Sequence, residues 1–164
     1  MLQEQRHPLT IVTKSAMVER DIDILAEMAQ DRLVQVMISI CTFDKQIARS
    51  MEPRASTPAR RLQAMARLHE AGVPVGVLVA PIIPVLTDPE LESVLAASAE
   101  HGAASAGYVL LRLPLEVAPL FEEWLHAHFP LKAGHVLTRV RDTRGGALYR
   151  AKFGERMRLS LIHI

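Results

Sequence analysis

The chain has 164 residues, 49% of them hydrophobic and 23% charged, with a formal net charge of +1. That is one domain's worth of chain, able to bury a sizeable core, and it excludes a disordered polymer or a bulk electrostatic drive toward nucleic acid or anionic membrane. The single cysteine, Cys41, excludes an internal disulfide framework and any metal site built from this chain's thiolates alone.

Four short apolar runs alternate with helical stretches. The first, Leu9–Thr13, predicts a strand, and Ala16–Asp31 then places Ile22, Leu25, Met28 and Ala29 at helical spacing. The second run, Val34–Ile40, is apolar on both faces, as a buried parallel strand should be. A short helix near 44–51 and the turn Glu52-Pro53-Arg54 follow. Thr57 as cap, Pro58 at the first helical position and the stripe Leu62, Met65 and Leu68 predict the next helix, ended by Gly72 and Pro74.

The third run, Val75–Ile82, enters a proline-rich turn, and Asp88-Pro89 opens a helix with Leu91, Val94, Leu95 and Ala99 inward. The fourth strand, Ala106–Leu113, ends at Pro114. A helix over 118–129 buries Leu120, Phe121, Trp124 and Leu125 and is stopped by Pro130, and a last amphipathic segment spans His135–Thr143. Beyond it Arg150, Lys152, Arg156 and Arg158 surround Tyr149 and Phe153. The apolar tail, 159–164, reads as a translation or assembly artefact or as a docked terminal strand.

Strict alternation of strand and helix implies an α/β fold with a parallel sheet and helical crossovers. Four units make only part of a closed eight-unit barrel, a fold that carries its chemistry at the carboxyl ends of the strands. The chain therefore reads as a piece of an enzyme, one domain over 1–158. No apolar signal region follows Met1, and the longest apolar stretch, Val73–Leu86, is broken by Pro74, Pro81 and Pro84. It is too short to span a bilayer, and a cytoplasmic setting without membrane contact is expected.

The residues just past each strand are the candidates for chemistry. Lys14 offers an ammonium suited to a carboxylate or phosphate, or is a solvated lysine beside a capping Ser15. Ser39 and Thr42 carry small hydroxyls able to meet a ligand oxygen, although Thr42 and Asp44 also suit a helix cap. Cys41, flanked by apolar residues, reads as a buried structural thiol. The stiff turn at Ala80, Pro81 and Ile82 could pack on a flat ring or merely end the strand. Arg112 would point a charged fork at the substrate side, or lie on the surface. Glu52, Arg54, Arg60 and Arg61 read as a solvated loop and helix face. None of the seven histidines has a metal-binding spacing, and Walker, dinucleotide-glycine and nucleophile-elbow motifs are absent. No catalytic or metal-ligating residue is assigned.

As whole phrases, the segments His7-Pro8-Leu9-Thr10-Ile11-Val12-Thr13-Lys14-Ser15, Glu52-Pro53-Arg54-Ala55 and Gly76-Val77-Leu78-Val79-Ala80-Pro81-Ile82-Ile83-Pro84 resemble the radical S-adenosylmethionine proteins related to spore photoproduct lyase. So does Ser105-Ala106-Gly107-Tyr108-Val109-Leu110-Leu111-Arg112-Leu113-Pro114. The resemblance covers Arg6 to Arg158 and is closest to an uncharacterised bacterial subgroup. It implies a partial six-stranded β/α barrel, of which this chain supplies the later strands and the carboxyl-terminal helices. It also implies a 4Fe–4S cluster, held by a CxxxCxxC loop after the first strand, that reductively cleaves S-adenosylmethionine to a 5′-deoxyadenosyl radical. That loop is not in this sequence.

On the same resemblance Lys14 and Ser39 correspond to contacts with the amino-acid end of the cofactor, and Ala80, Pro81 and Ile82 lie near its adenine. Val85 and Thr87 stand where the subgroup usually has Gly and Asn, and Cys41 replaces a usual threonine. The first reading is thus the cofactor-binding, carboxyl-terminal portion of a radical enzyme, inactive alone, whose partner is the earlier part of the same barrel. The second is a nucleic-acid-binding fragment that uses the basic segment 139–158.

Overall fold

Each predicted apolar run is a strand, and each lies parallel to the next in sequence. The computed structural model describes residues 4–143, Gly146, Leu148 and the backbone of 161–163. Strands β1 (Leu9–Thr13), β2 (Val34–Ser39), β3 (Val75–Ile82) and β4 (Ser105–Leu110) form one sheet in that order. The first crossover is a 3-10 turn, Ala16–Asp21, leading into α1 (Ile22–Gln30), where the sequence predicts one continuous helix. The second holds α2 (Lys45–Met51) and α3 (Pro58–Glu70), and the third α4 (Leu91–Glu100). Local chemistry sets these boundaries: Thr57 Oγ1 accepts from Arg60 N at 3.3 Å, with Pro58 at the first position of α3.

Period-two alternation divides the sheet into two faces. Leu9 and Ile11, Val34, Val36 and Ile38, Val75, Val77 and Val79, and Ala106 pack against Leu25 and Met28 of α1, Ala64, Met65 and Leu68 of α3, and Val94 of α4. The intervening residues turn to the opposite, inner face: Thr10 and Val12, Gln35, Met37 and Ser39, Gly76 and Leu78, Ser105 and Gly107. This is the arrangement of a partial β/α barrel, with one helical layer outside and a distinct inner surface.

A second core holds the far end of the chain. Helices α5 (Val117–His128) and α6 (Pro130–Asp142) bury Leu125, Val136, Leu137 and Val140 against Ile47 of α2, Ile83, Leu86, Leu111 and Leu113. Trp124 Nε1 donates to the Ser50 carbonyl at 3.3 Å, tying α5 to α2. The last helix begins five residues before the predicted His135. Pro130 ends α5 and also opens α6, because a proline lacks the N–H that a first helical position leaves unused. Strand β4 starts at Ser105 and stops at Leu110, three residues short of the predicted end. In the loop after β3, Val85 adopts φ 73°, a left-handed conformation that glycine takes without strain. Thr87 is buried there, and its Oγ1 accepts from Ile83 N at 2.8 Å.

The backbone of Leu161–His163 forms β5, antiparallel to β4, with Gly107 opposite Leu161 and Ser105 opposite His163. The aromatic and basic side chains predicted over 149–158 lie outside the described residues. Among the described residues no helix is long and apolar enough to cross a membrane.

The amino-terminal half of the inner face is closely packed. Gln35 Nε2 donates to Ser105 Oγ at 3.1 Å, and that hydroxyl lies 3.9 Å from Met37 Sδ. A Cβ on Gly76 would sit 2.6 Å from Met37 Sδ and 2.8 Å from the Ser105 carbonyl oxygen. Backbone cannot step aside as a side-chain tip can, so Gly76→Ala is expected to destabilise the chain by about 1–3 kcal/mol. Thermal or urea unfolding reads this directly, and an unchanged midpoint would mean that the three strands do not approach this closely.

Candidate functional site

The strand ends carry one concentrated group of charges. The register pairs Thr13 with Ile38, so the next residues along, Lys14 and Ser39, are neighbours on the same inner side. Lys14 Nζ lies 2.6 Å from Glu52 Oε1, and its side chain is 43% exposed. The other carboxylate oxygen, Glu52 Oε2, accepts from Arg61 Nη2 at 2.5 Å. The other two nitrogens of Arg61 donate to carbonyls: Nη1 to Ser39 O at 2.7 Å and Nε to Ser56 O at 2.7 Å.

Both members of the central pair are buried, with side chains 3% exposed for Arg61 and 7% for Glu52. This corrects the sequence reading of Glu52 and Arg61 as part of a solvated loop and helix face. Arg61 occupies the inward stripe of α3, three, four and seven residues before the buried Ala64, Met65 and Leu68. Its periodicity was the available signal, and its charge concealed it. Arg60, one residue away, points elsewhere and binds Glu19 through both nitrogens at 2.7 and 2.6 Å.

Burial opposes ionisation of Glu52, but the hydrogen bonds and charges of Lys14 and Arg61 outweigh it and hold the carboxyl below its ordinary 4.5. Two cations against one carboxylate leave the group with a surplus positive charge. Beside it, the Ser39 hydroxyl is buried, and no described residue hydrogen-bonds to it. A buried hydroxyl without a partner is uncommon and marks a place where a ligand atom would be accommodated.

The other candidates divide. Ser15 Oγ accepts from Met17 N at 3.1 Å, so it caps, while Lys14 is committed to Glu52. Thr42 Oγ1 accepts from Asp44 N at 3.0 Å and donates to Glu90, and Asp44 Oδ1 accepts from Gln46 N and Ile47 N at 2.7 and 2.9 Å. Both residues are therefore occupied by capping and tying. Ala80 lies two residues beyond Leu78, the register partner of Ser39, so the end of β3 borders the same mouth. Ala80 and Pro81 are half-buried, whereas the Ile82 side chain packs into the helix-side core. Arg112 is exposed just past β4, three strand spacings from β1, or roughly 14 Å. The structure does not bring it to Lys14.

Cys41 is buried, with Sγ 3.9 Å from Glu52 Oε1. Burial and then the Glu52 charge push its thiol up to about 11, so it stays protonated at neutral pH. Glu52 and Arg61 also line a cleft of about 670 Å³ whose walls include Phe43, Arg49, Pro53 and Leu62.

A family model described as the radical SAM superfamily matches residues 1–97. The chain belongs to the radical SAM superfamily. An uncharacterized protein of Mycobacterium tuberculosis (strain H37Rv) is 32% identical over 137 residues, which cover 82% of this chain and 39% of that protein. An uncharacterized protein of the Acidianus two-tailed virus is 42% identical over 74 residues, 45% of this chain and 24% of that protein. One from Methanocaldococcus jannaschii is 31% identical over 87 residues, 53% of this chain and 32% of that protein. No solved structure matches the chain. The chain thus spans well under half the length of these relatives.

In the radical SAM superfamily S-adenosylmethionine and a 4Fe–4S cluster work together. This chain's residues do not fit the cluster. Iron–sulfur clusters are held by several thiolates, whereas the chain has one cysteine, and that one is a buried, protonated thiol. Among the described residues no three His, Cys, Asp or Glu side chains are grouped to hold a metal ion. The donor set at the β1 and β2 ends does fit an anion: a surplus cation and, on the neighbouring strand, a buried hydroxyl that no described residue hydrogen-bonds.

The lowered Glu52 ionisation makes a pH prediction. A carboxyl whose folded value lies below its unfolded one adds stability above the unfolded value and loses it as pH falls through the folded one. The stability difference between wild type and Glu52→Gln is therefore expected to be constant near neutrality and to shrink below about pH 4.5. Urea unfolding at stepped pH checks this, and a difference unaltered by strong acid would show that Glu52 is not an ion-paired carboxylate.

Proposed function

We propose that this chain is the cofactor-binding, carboxyl-terminal portion of a radical SAM enzyme of the spore photoproduct lyase-related group. In this reading the cluster is held by cysteines outside these residues, and the chain alone is inactive. The observation that carries the reading is that Lys14, in a group of surplus positive charge, and the buried Ser39 hydroxyl, which no described residue hydrogen-bonds, stand at adjacent strand ends on one side of the sheet. The four phrases that resemble the spore photoproduct lyase group support the finer assignment, and Val85, a departure from the glycine usual in the bacterial subgroup, keeps the left-handed φ that a glycine would take.

The residues would act by binding and orienting. Lys14 pairs with the carboxylate of S-adenosylmethionine through donors that Glu52 leaves free, since an ammonium has three. Ser39 donates its hydroxyl to the same end of the ligand, which repays the cost of burying it. Ala80, Pro81 and the Ile82 backbone edge the site for the adenine. When bound and reduced, the cofactor supplies hydrogen-atom abstraction. The chain's own contribution is to fix the amino-acid end so that the rest of the ligand is held in one pose.

Two measurements test this. In the protein as its gene encodes it, Lys14→Ala is expected to weaken S-adenosylmethionine binding roughly tenfold, the cost of one charge-assisted hydrogen bond. Unchanged affinity by calorimetry removes Lys14 from the site. Reading the gene upstream of the Met1 codon is expected to reveal CxxxCxxC in frame. A genuine start at Met1 with no such loop before it would defeat the enzyme reading.

A further inference from the structure

We propose that Arg61 and Glu52 are positioning residues that set the place and the available charge of Lys14 for the anionic end of the ligand, without touching that ligand themselves. The inference rests on the proposed role of Lys14 and adds to it the device that makes the lysine effective.

The geometry carries the argument. One guanidinium reaches the ends of two adjacent strands. It holds β2 directly through the Ser39 carbonyl at 2.7 Å. It holds the segment after β1 twice: through Glu52 to Lys14, and through Ser56, whose Oγ accepts from Ala16 N at 2.9 Å. A planar fork with fixed donor directions sets those relative positions in a way that a flexible point charge cannot. Lys14 and Ser39, the two groups proposed to meet the ligand, are thus the two groups that Arg61 spaces.

The charges follow the same logic. Without Arg61, Glu52 would cancel Lys14 and the mouth would be neutral. With Arg61 buried behind it, Glu52 is already compensated, and the half-exposed Lys14 keeps a full positive charge for an incoming anion. A buried ion pair is poor value as a stabiliser, because desolvation consumes much of its attraction and apolar packing does as well. Its position directly behind the half-exposed cation of the strand mouth accounts for it better.

Simple electrostatics and positioning make opposite predictions for Glu52→Gln. Removing a negative charge beside the site should tighten the hold on the ligand's carboxylate if only charge matters, and weaken it if Glu52 holds Lys14 in place. The probes are S-adenosylhomocysteine, which carries the amino-acid end, and 5′-methylthioadenosine, which lacks it, titrated by calorimetry against the protein as its gene encodes it. We expect Glu52→Gln and Arg61→Lys each to weaken S-adenosylhomocysteine by about tenfold, leave 5′-methylthioadenosine unchanged, and cost nothing further in a Lys14→Ala background, as residues acting through one contact should.

Tighter or unchanged S-adenosylhomocysteine binding in both variants overturns the proposal. So does an equal loss of both probes, which assigns the pair to the fold alone, and so does a loss that multiplies with that of Lys14→Ala. If Lys14→Ala by itself leaves S-adenosylhomocysteine unaffected, the ligand assignment of Lys14 fails, and the positioning role fails with it. A costly Lys14→Ala beside a neutral Glu52→Gln and a neutral Arg61→Lys leaves the binding reading standing and removes only the positioning.

Discussion

A guanidinium shut off from water must have its charge compensated and each nitrogen hydrogen-bonded or cost the fold several kcal/mol. Arg61 is 2% exposed, and its partners are a carboxylate and two backbone carbonyls that belong to two segments, the loop between α2 and α3 and the end of β2. That requirement constrains the loop between α2 and α3, the end of β2 and, through Glu52, the residue after β1. The stripe of α3 brings Arg61 inward beside Ala64, Met65 and Leu68, so the same helix that covers the sheet also delivers the charge to its rim. Packing and site geometry are in this way one set of contacts.

The two cores divide the work of the fold. The helix-side core fixes the register of the four parallel strands, and with it which residues reach the inner face. A slip of one residue in β1 would turn Lys14 away from Ser39, and the burial of Leu9 and Ile11 is what opposes that slip. The second core, under α5 and α6, grips α2 and the loop after β3, which are the segments flanking the mouth. The amino-terminal part of the inner face is filled by Gln35, Met37 and Ser105 around Gly76, leaving the carboxyl ends of the strands as the place where polar groups remain uncommitted.

Much of this was legible in the residue order. The four apolar runs, the cap at Thr57 with Pro58 behind it, and the capping roles open to Ser15, Thr42 and Asp44 are local signals, and local signals read well. What escaped depends on contacts between distant segments. Glu52 and Arg61 read as solvated because charged residues usually are. Only the tertiary arrangement shows that they are buried, with the half-exposed Lys14 against them. Pro130 read as a stop, although the same lack of an N–H makes it a good start. The tail read as an artefact or a docked strand, but that its partner is β4, more than fifty positions away, is specified by nothing in either short segment.

Glu52 also explains why Cys41 is not a rival chemical group at the mouth. A thiol this close to a strand end could in principle ligate a metal or attack an electrophilic ligand, and both reactions need the thiolate. Burial and the neighbouring carboxylate raise the thiol to about 11, which keeps it neutral. The lysine meets the same carboxylate as a cation and is held by it. One buried negative charge therefore sorts its neighbours by sign, fixing the amine at the mouth and keeping the sulfur protonated. It can stay ionised in both roles because Arg61 lies behind it.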